Sequence, residues 1–361
     1  MSDFESERVL PGAARGRGAL SNSAGRFEPH RRLHTDDGWS REPEQQIRTH
    51  VTEDKSRTIL TRNTSPDIPF DRSINPYRGC EHGCIYCFAR PSHAYLGLSP
   101  GLDFETRLFS KPDAPKLLRA TLSKKRYRPD VIAIGTNTDP YQPVEQRLRI
   151  MRGILEVLQE FRHPVAIVTK GALIRQDVDL LGEMAAMGLS HVGISLTTLD
   201  AGLSRRMEPR AAAPAHRLRS IELLANAGVP VRAMIAPVVP GLTDHELEAL
   251  MKAAADAGAT AASYIVLRLP REVSPLFREW LDEVYPGRAK HVMGRVQELH
   301  GGRDYDPEWG RRMKGQGLWA DLLAKRFEVA LARTGLSRQL PGLRRDLFRV
   351  PPAPGDQLSL F

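Results

Sequence analysis

The sequence predicts an α/β fold built on a parallel sheet. Three observations carry that expectation. Short apolar runs rich in β-branched residues recur through the middle of the chain, amphipathic stretches of helical period separate them, and polar residues gather just beyond the ends of the runs. A helix between every pair of strands makes the strands parallel.

A strand before Cys80 opens the series. Val131–Gly135 is the next, followed by a helix over 144–160 with Leu148, Met151, Leu155 and Leu158 on one face. Val165–Thr169 precedes a helix over 177–187, and His191–Leu196 precedes one over 215–227. Val231–Ala236 leads to a helix over 243–257, with Thr243 as its cap and Glu246 three residues on as a capping box. Tyr264–Leu267 closes about six βα units. Periodicity alone allows a doubly wound sheet or a barrel. No G-x-G-x-x-G follows the first strand, and Asn137, Asp139, Lys170, Thr197 and Thr198 stand just after strand ends. That placement favours a barrel or part-barrel with its site at one rim. Helix-like stretches follow at 274–299 and 317–334.

The flanks read differently. Residues 1–56 are poor in branched apolar residues, and Met1 to Arg57 carries ten basic and ten acidic side chains, so a disordered leader is expected. The expected organisation is a leader (1–56), a barrel (57–270), a helical extension (271–340) and a flexible tail (341–361).

At 361 residues the chain can bury a large core without disulfides. No run of 18 apolar residues spans a membrane, and no export signal is visible. Three cysteines, an odd number, point to a reducing, cytoplasmic setting. Against 43 acidic residues stand 52 basic ones, a net charge of +9 that permits a nucleic-acid partner. The excess is patchy: eight basic and two acidic residues from Glu105 to Pro129, ten and three from Arg311 to Arg349. The second is the better candidate for neutralising phosphates.

All the cysteines lie in Cys80-Glu-His-Gly-Cys84-Ile-Tyr-Cys87. Clustered thiols are metal ligands first. Zinc would take a fourth ligand such as His82 or His93, giving a non-catalytic adaptor; an iron–sulfur cube on three thiolates would keep one iron open.

The C-x3-C-x2-C loop, with Tyr86 before its third cysteine, resembles the radical S-adenosylmethionine (SAM) superfamily over roughly residues 70–270. The resemblance implies a partial (β/α)6 TIM-like barrel, with extra C-terminal helices and flexible termini here. It implies a 4Fe–4S cluster on Cys80, Cys84 and Cys87, SAM on the open iron, and a reductant such as flavodoxin or ferredoxin. Reductive cleavage of SAM would then yield a 5′-deoxyadenosyl radical that abstracts hydrogen from a substrate. Carried over by position, Tyr86 would touch the adenine, Asn137 and Asp139 would stand in for a missing Gly-Gly-Glu segment, and Lys170 or Arg210 would meet the cofactor carboxylate. Ser195 and Thr197 would meet the ribose.

Asn75–Cys80, Gly135–Pro143 and Val168–Lys170 resemble the spore photoproduct lyase branch, which implies a nucleic-acid lesion or modified base as substrate. The same radical chemistry on RNA, a protein or a small metabolite is the rival. That branch's fourth, hydrogen-donating cysteine has no counterpart, and Tyr141 is the candidate stand-in. The last five residues, Gln357-Leu358-Ser359-Leu360-Phe361, resemble the peptide by which bacterial repair proteins dock on the sliding clamp.

Overall fold

A computed structural model describes residues 16–28 and 47–352. Six parallel strands form its centre: β1 (Arg72–Ile74), β2 (Ile132–Ile134), β3 (Val165–Thr169), β4 (Ser190–Ser195), β5 (Val231–Val238) and β6 (Ala261–Val266). They lie side by side in chain order, and Leu60–Arg62 adds an antiparallel edge beside β1. The expected six βα units are thus present in an open, part-barrel sheet. Helices α1 (Ala114–Leu122), α2 (Ile150–Glu160), α3 (Val178–Ala186), α4 (Pro214–Asn226) and α5 (Leu247–Asp256) cross between the strands. A three-stranded sheet of His50–Glu53, Arg107–Ser110 and Tyr77–Arg78 lies beside them.

The main core sits between sheet and helices. In α2, Ile150, Met151, Ile154, Leu155 and Leu158 are buried along one stripe, each contributing about 1.5–3 kcal/mol. The continuous helix expected over 144–160 is interrupted at Arg149, whose φ is 49°. Its cause is Glu145: this buried carboxyl group accepts the Met151 N–H at 2.8 Å and the Tyr77 hydroxyl, and so caps a new helix instead of continuing the old one. The capping box at 243–246 does not form either. Thr243 Oγ1 accepts the Val239 N–H, and Glu246 accepts Thr198 Oγ1 and the Leu199 N–H, tying α5 to the loop after β4.

A second apolar cluster joins the cysteine loop to the C-terminal extension. Ile85, Tyr86, Leu203 and Met207 pack with Phe277 and Trp280 of α6 (Val273–Val284) and with Val292 and Val296 of α7 (Ala289–Leu299). Helix α8 (Leu318–Thr334) packs on α5.

The flanks correct the expected tails where they are described. Residues 16–28 are not a free leader: Arg17, Ala19 and Ser21 are buried. Beyond residue 340, Arg344 N–H donates to Gly188 O and Phe348 packs against Tyr127, Phe161 and His163. Ser337 bridges to Ala261 and covers the open edge of β6. The clamp-like residues 357–361 lie outside the described residues. Much of the basic C-terminal patch is neutralised, with Arg312 on Asp67, Arg326 on Glu248, Arg338 on Glu328, and Arg345 on Asp130. No helix among the described residues is long and apolar enough to cross a membrane.

Candidate cofactor site

The chain turns sharply after β1 to form the cysteine loop. Gly83 sits at φ 67°, and a Cβ there would meet Glu105 Oε2 at 2.6 Å. Beneath the loop lies Arg90, fully buried. Its guanidinium donates to Cys84 O, Gly83 O, Pro100 O and Gly101 O, and to Glu105 Oε1 at 2.5 Å. Glu105 also accepts the N–H groups of Gly18 and Ala19 at 2.9 and 2.8 Å. One buried ion pair thereby fixes the loop's carbonyls and clamps the N-terminal segment against it. Ile85 N–H donates to Met207 O, and Cys80 N–H to Phe104 O.

With the backbone held, the three thiols face one cavity of about 190 Å³. None is in a disulfide. Burial raises the Cys80 thiol, and pushes that of Cys84 up to about 12 against the pull of Lys170. A thiolate is costly in such surroundings until a cation compensates it, which is what a metal centre supplies. Among the described residues no three Cys, His, Asp or Glu side chains converge on a single ion. His93 is no fourth ligand: its Nε2 bonds Arg107 O at 2.9 Å within the core. The donor set fits a cluster whose irons each take one thiolate better than a zinc ion.

The far wall consists of strand ends. Gly135 at φ 87° lets β2 approach β3, since a Cβ there would meet Val168 O at 2.0 Å. Asn137 lines the cavity, as do Lys170, Ser195 and Tyr86. Asp139 links the two sides. It forms the Asx turn to Tyr141 N–H, accepts Thr169 Oγ1 and the Lys170 N–H, and lies 3.4 Å from His82 Nδ1. Burial opposes its charge, yet His82 and these hydrogen bonds hold the carboxylate down at about 2.

Behind Tyr86 lies a buried polar network centred on Glu208. It accepts the Tyr86 hydroxyl, Lys170 Nζ at 3.0 Å, Thr197 Oγ1 at 2.9 Å and the Arg217 guanidinium. Burial raises the cost of its charge, but Arg217 and Lys170 overcome that and keep the carboxyl well below its usual range. Two cations share one carboxylate, so the network leaves a net positive charge beside Cys84 and Tyr86.

The structure departs from the expected site at three positions. Thr197 does not line the cavity; its hydroxyl is spent on Glu208. Arg210 does not line the cavity, and its guanidinium lies 3.4 Å from Glu81. Tyr141 is buried away from the cavity with its hydroxyl on Asp177 at 3.0 Å, so it is not placed to donate hydrogen there. Arg268 and Phe88 line the mouth and were not singled out from the sequence. Glu208 was visible as a lone acid among arginines, but nothing local says that it is buried.

A sequence profile of the radical SAM superfamily matches residues 74–254. An uncharacterized protein of Mycobacterium tuberculosis is 38% identical over 260 residues, covering 72% of this chain and 75% of the relative. One of Methanocaldococcus jannaschii is 26% identical over 173 residues, covering 48% and 62%. Among solved structures, spore photoproduct lyase complexed with dinucleoside spore photoproduct superposes with a TM-score of 0.55 at 15% identity, over 79% of this chain and 78% of that one. A variant of that lyase with bound AdoMet gives 0.53 at 16%, over 79% and 77%. The shared architecture is that of the fold. On the profile and the Mycobacterium relative together, this chain belongs to the radical SAM superfamily, membership of which implies a 4Fe–4S cluster and SAM as cofactors.

Proposed function

We propose that the protein is an enzyme that cleaves SAM reductively and uses the resulting radical on a nucleic-acid substrate, in repair or modification. The observation that carries this reading is the meeting of three unbridged thiols, two buried and that of Cys87 half-buried, with the Lys170–Glu208–Arg217 network on one cavity at the strand ends. When bound, the reduced cluster supplies one electron from flavodoxin or ferredoxin to the sulfur–C5′ bond of SAM, giving methionine and a 5′-deoxyadenosyl radical.

The chain's own residues hold and shield. Cys80, Cys84 and Cys87 each take one iron. Lys170 offers its ammonium to the cofactor carboxylate, and Asn137 an acceptor to its amino group. Ser195 meets the ribose, and Tyr86 packs against the adenine while its hydroxyl stays on Glu208. Met234, Pro237 and Ile265 keep the cavity apolar, as a reactive carbon radical requires.

The test is anaerobic reconstitution with iron and sulfide, followed by dithionite and SAM. Formation of 5′-deoxyadenosine is expected. Stoichiometric zinc without cleavage would overturn the reading.

A further inference from the structure

Phe88 follows the third cysteine directly, is 44% exposed, and stands at the cavity mouth. The Arg268 guanidinium, from the loop after β6, lies 4.5 Å from the centre of its ring. Arg268 is half-buried, and Asp67 is the carboxylate whose charge acts on it.

The pattern repeats further out. Seven residues beyond Phe88, across the 3-10 turn Arg90–Leu96, Tyr95 is 67% exposed. The positive charge of Arg271, three residues after Arg268, acts on its hydroxyl and lowers its pKa. The Tyr95 ring lies 5.2 Å from that of Phe27, which is also exposed, and Arg26 covers both. Glu272 pairs with Arg26, while Arg271 is exposed and Arg268 is half-buried where the track meets the cavity.

Two segments therefore run outward from the cavity side by side, one carrying aromatic faces and the other guanidinium groups. Exposed rings interleaved with arginines suit a strand whose bases are unpaired: every base has a face to stack, and each phosphate needs a cation. We propose that this surface is a track for a single-stranded nucleic-acid segment. Phe88 and the Tyr95–Phe27 pair stack bases, Arg268 and Arg271 take phosphates, and the track delivers a nucleotide to the cavity. The inference rests on the nucleic-acid reading above and names its form.

The experiment uses the full chain, a short fluorescein-labelled oligothymidylate, a duplex of equal length and a polyglutamate peptide, followed by anisotropy between about 50 and 200 mM salt. The single strand should bind best. Phe88→Ala and Tyr95→Ala should each weaken it about ten-fold, while Phe88→Trp, which keeps an aromatic face, should bind like the parent chain. Arg268→Gln and Arg271→Gln should each lower the salt slope by about 0.7. Lys124→Gln, in the remote basic patch, should change nothing. Equal binding of the duplex or of polyglutamate, or alanine variants that bind unchanged, would overturn the track. Strand binding without 5′-deoxyadenosine formation would sink the enzymatic reading and leave the track standing; the reverse result would sink the track alone.

Discussion

Lys170 Nζ lies 3.0 Å from Glu208 Oε1 and 5.0 Å from the centre of the Tyr86 ring, so the cation after β3 is held by a carboxylate from the segment that follows β4. Arg217 of α4 shares that carboxylate. Three segments of the part-barrel thus meet on one buried charge beside the cysteine loop.

Removing that charge should be expensive. In Glu208→Gln, Lys170 and Arg217 stay buried with no carboxylate, and the loss should be about 3–5 kcal/mol in urea unfolding at neutral pH. The folded-state value of Glu208 is depressed, so its contribution is full above the unfolded value of 4.5 and is lost as pH falls below it. The gap between parent and variant should therefore narrow in acid.

Glu145 should behave in the opposite sense. Burial raises its carboxyl from 4.5 to about 7. Between those values the unfolded chain is ionised while the folded one keeps its proton, so this group makes stability fall as pH rises from 4.5 to 7, by about 3 kcal/mol in all. Glu145→Gln should remove this part of the pH dependence, read as the difference between the two urea-midpoint profiles.

Clamping by Glu105 has its own signature. Glu105→Ala strips Arg90 of its buried partner and leaves the Gly18 and Ala19 N–H groups unpaired. A destabilisation of about 3–5 kcal/mol is expected. Amide hydrogen exchange over residues 16–22 should accelerate well before that of the sheet. Unchanged protection there would show that other contacts hold the segment.

Replacing Cys80, Cys84 or Cys87 singly by alanine should cut iron retained after reconstitution and lower 5′-deoxyadenosine formation by at least about 100-fold, the upper range for weakening a metal site indirectly. Circular dichroism should stay unchanged, because Arg90 and Glu105 hold the loop without the thiols.

Local patterns made much of this legible. Val165–Thr169 reads as a buried strand because every residue in it is apolar or β-branched, and Cys80, Cys84 and Cys87 stand out because three metal-binding side chains share one short loop. Other features were hidden because their partners are remote in the chain. Glu145 caps α2 instead of extending it, Glu246 turns to Thr198 instead of its own helix, and Gly18 reaches Glu105 across 87 residues. Tyr141 looked available beside the strand end, yet Asp177 takes its hydroxyl.

By itself the sequence determined the parallel βα order and the clustering of the three cysteines in one loop, because periodicity and ligand spacing are properties of neighbouring residues. Only the tertiary structure decided which polar side chains reach the cavity. It set Lys170 and Ser195 on the wall, withdrew Thr197 and Tyr141, and brought Phe88 and Arg268 to the mouth. The physical reason is that a buried polar group must find its hydrogen-bond partner wherever the fold provides one, and that partner is rarely its neighbour in the chain.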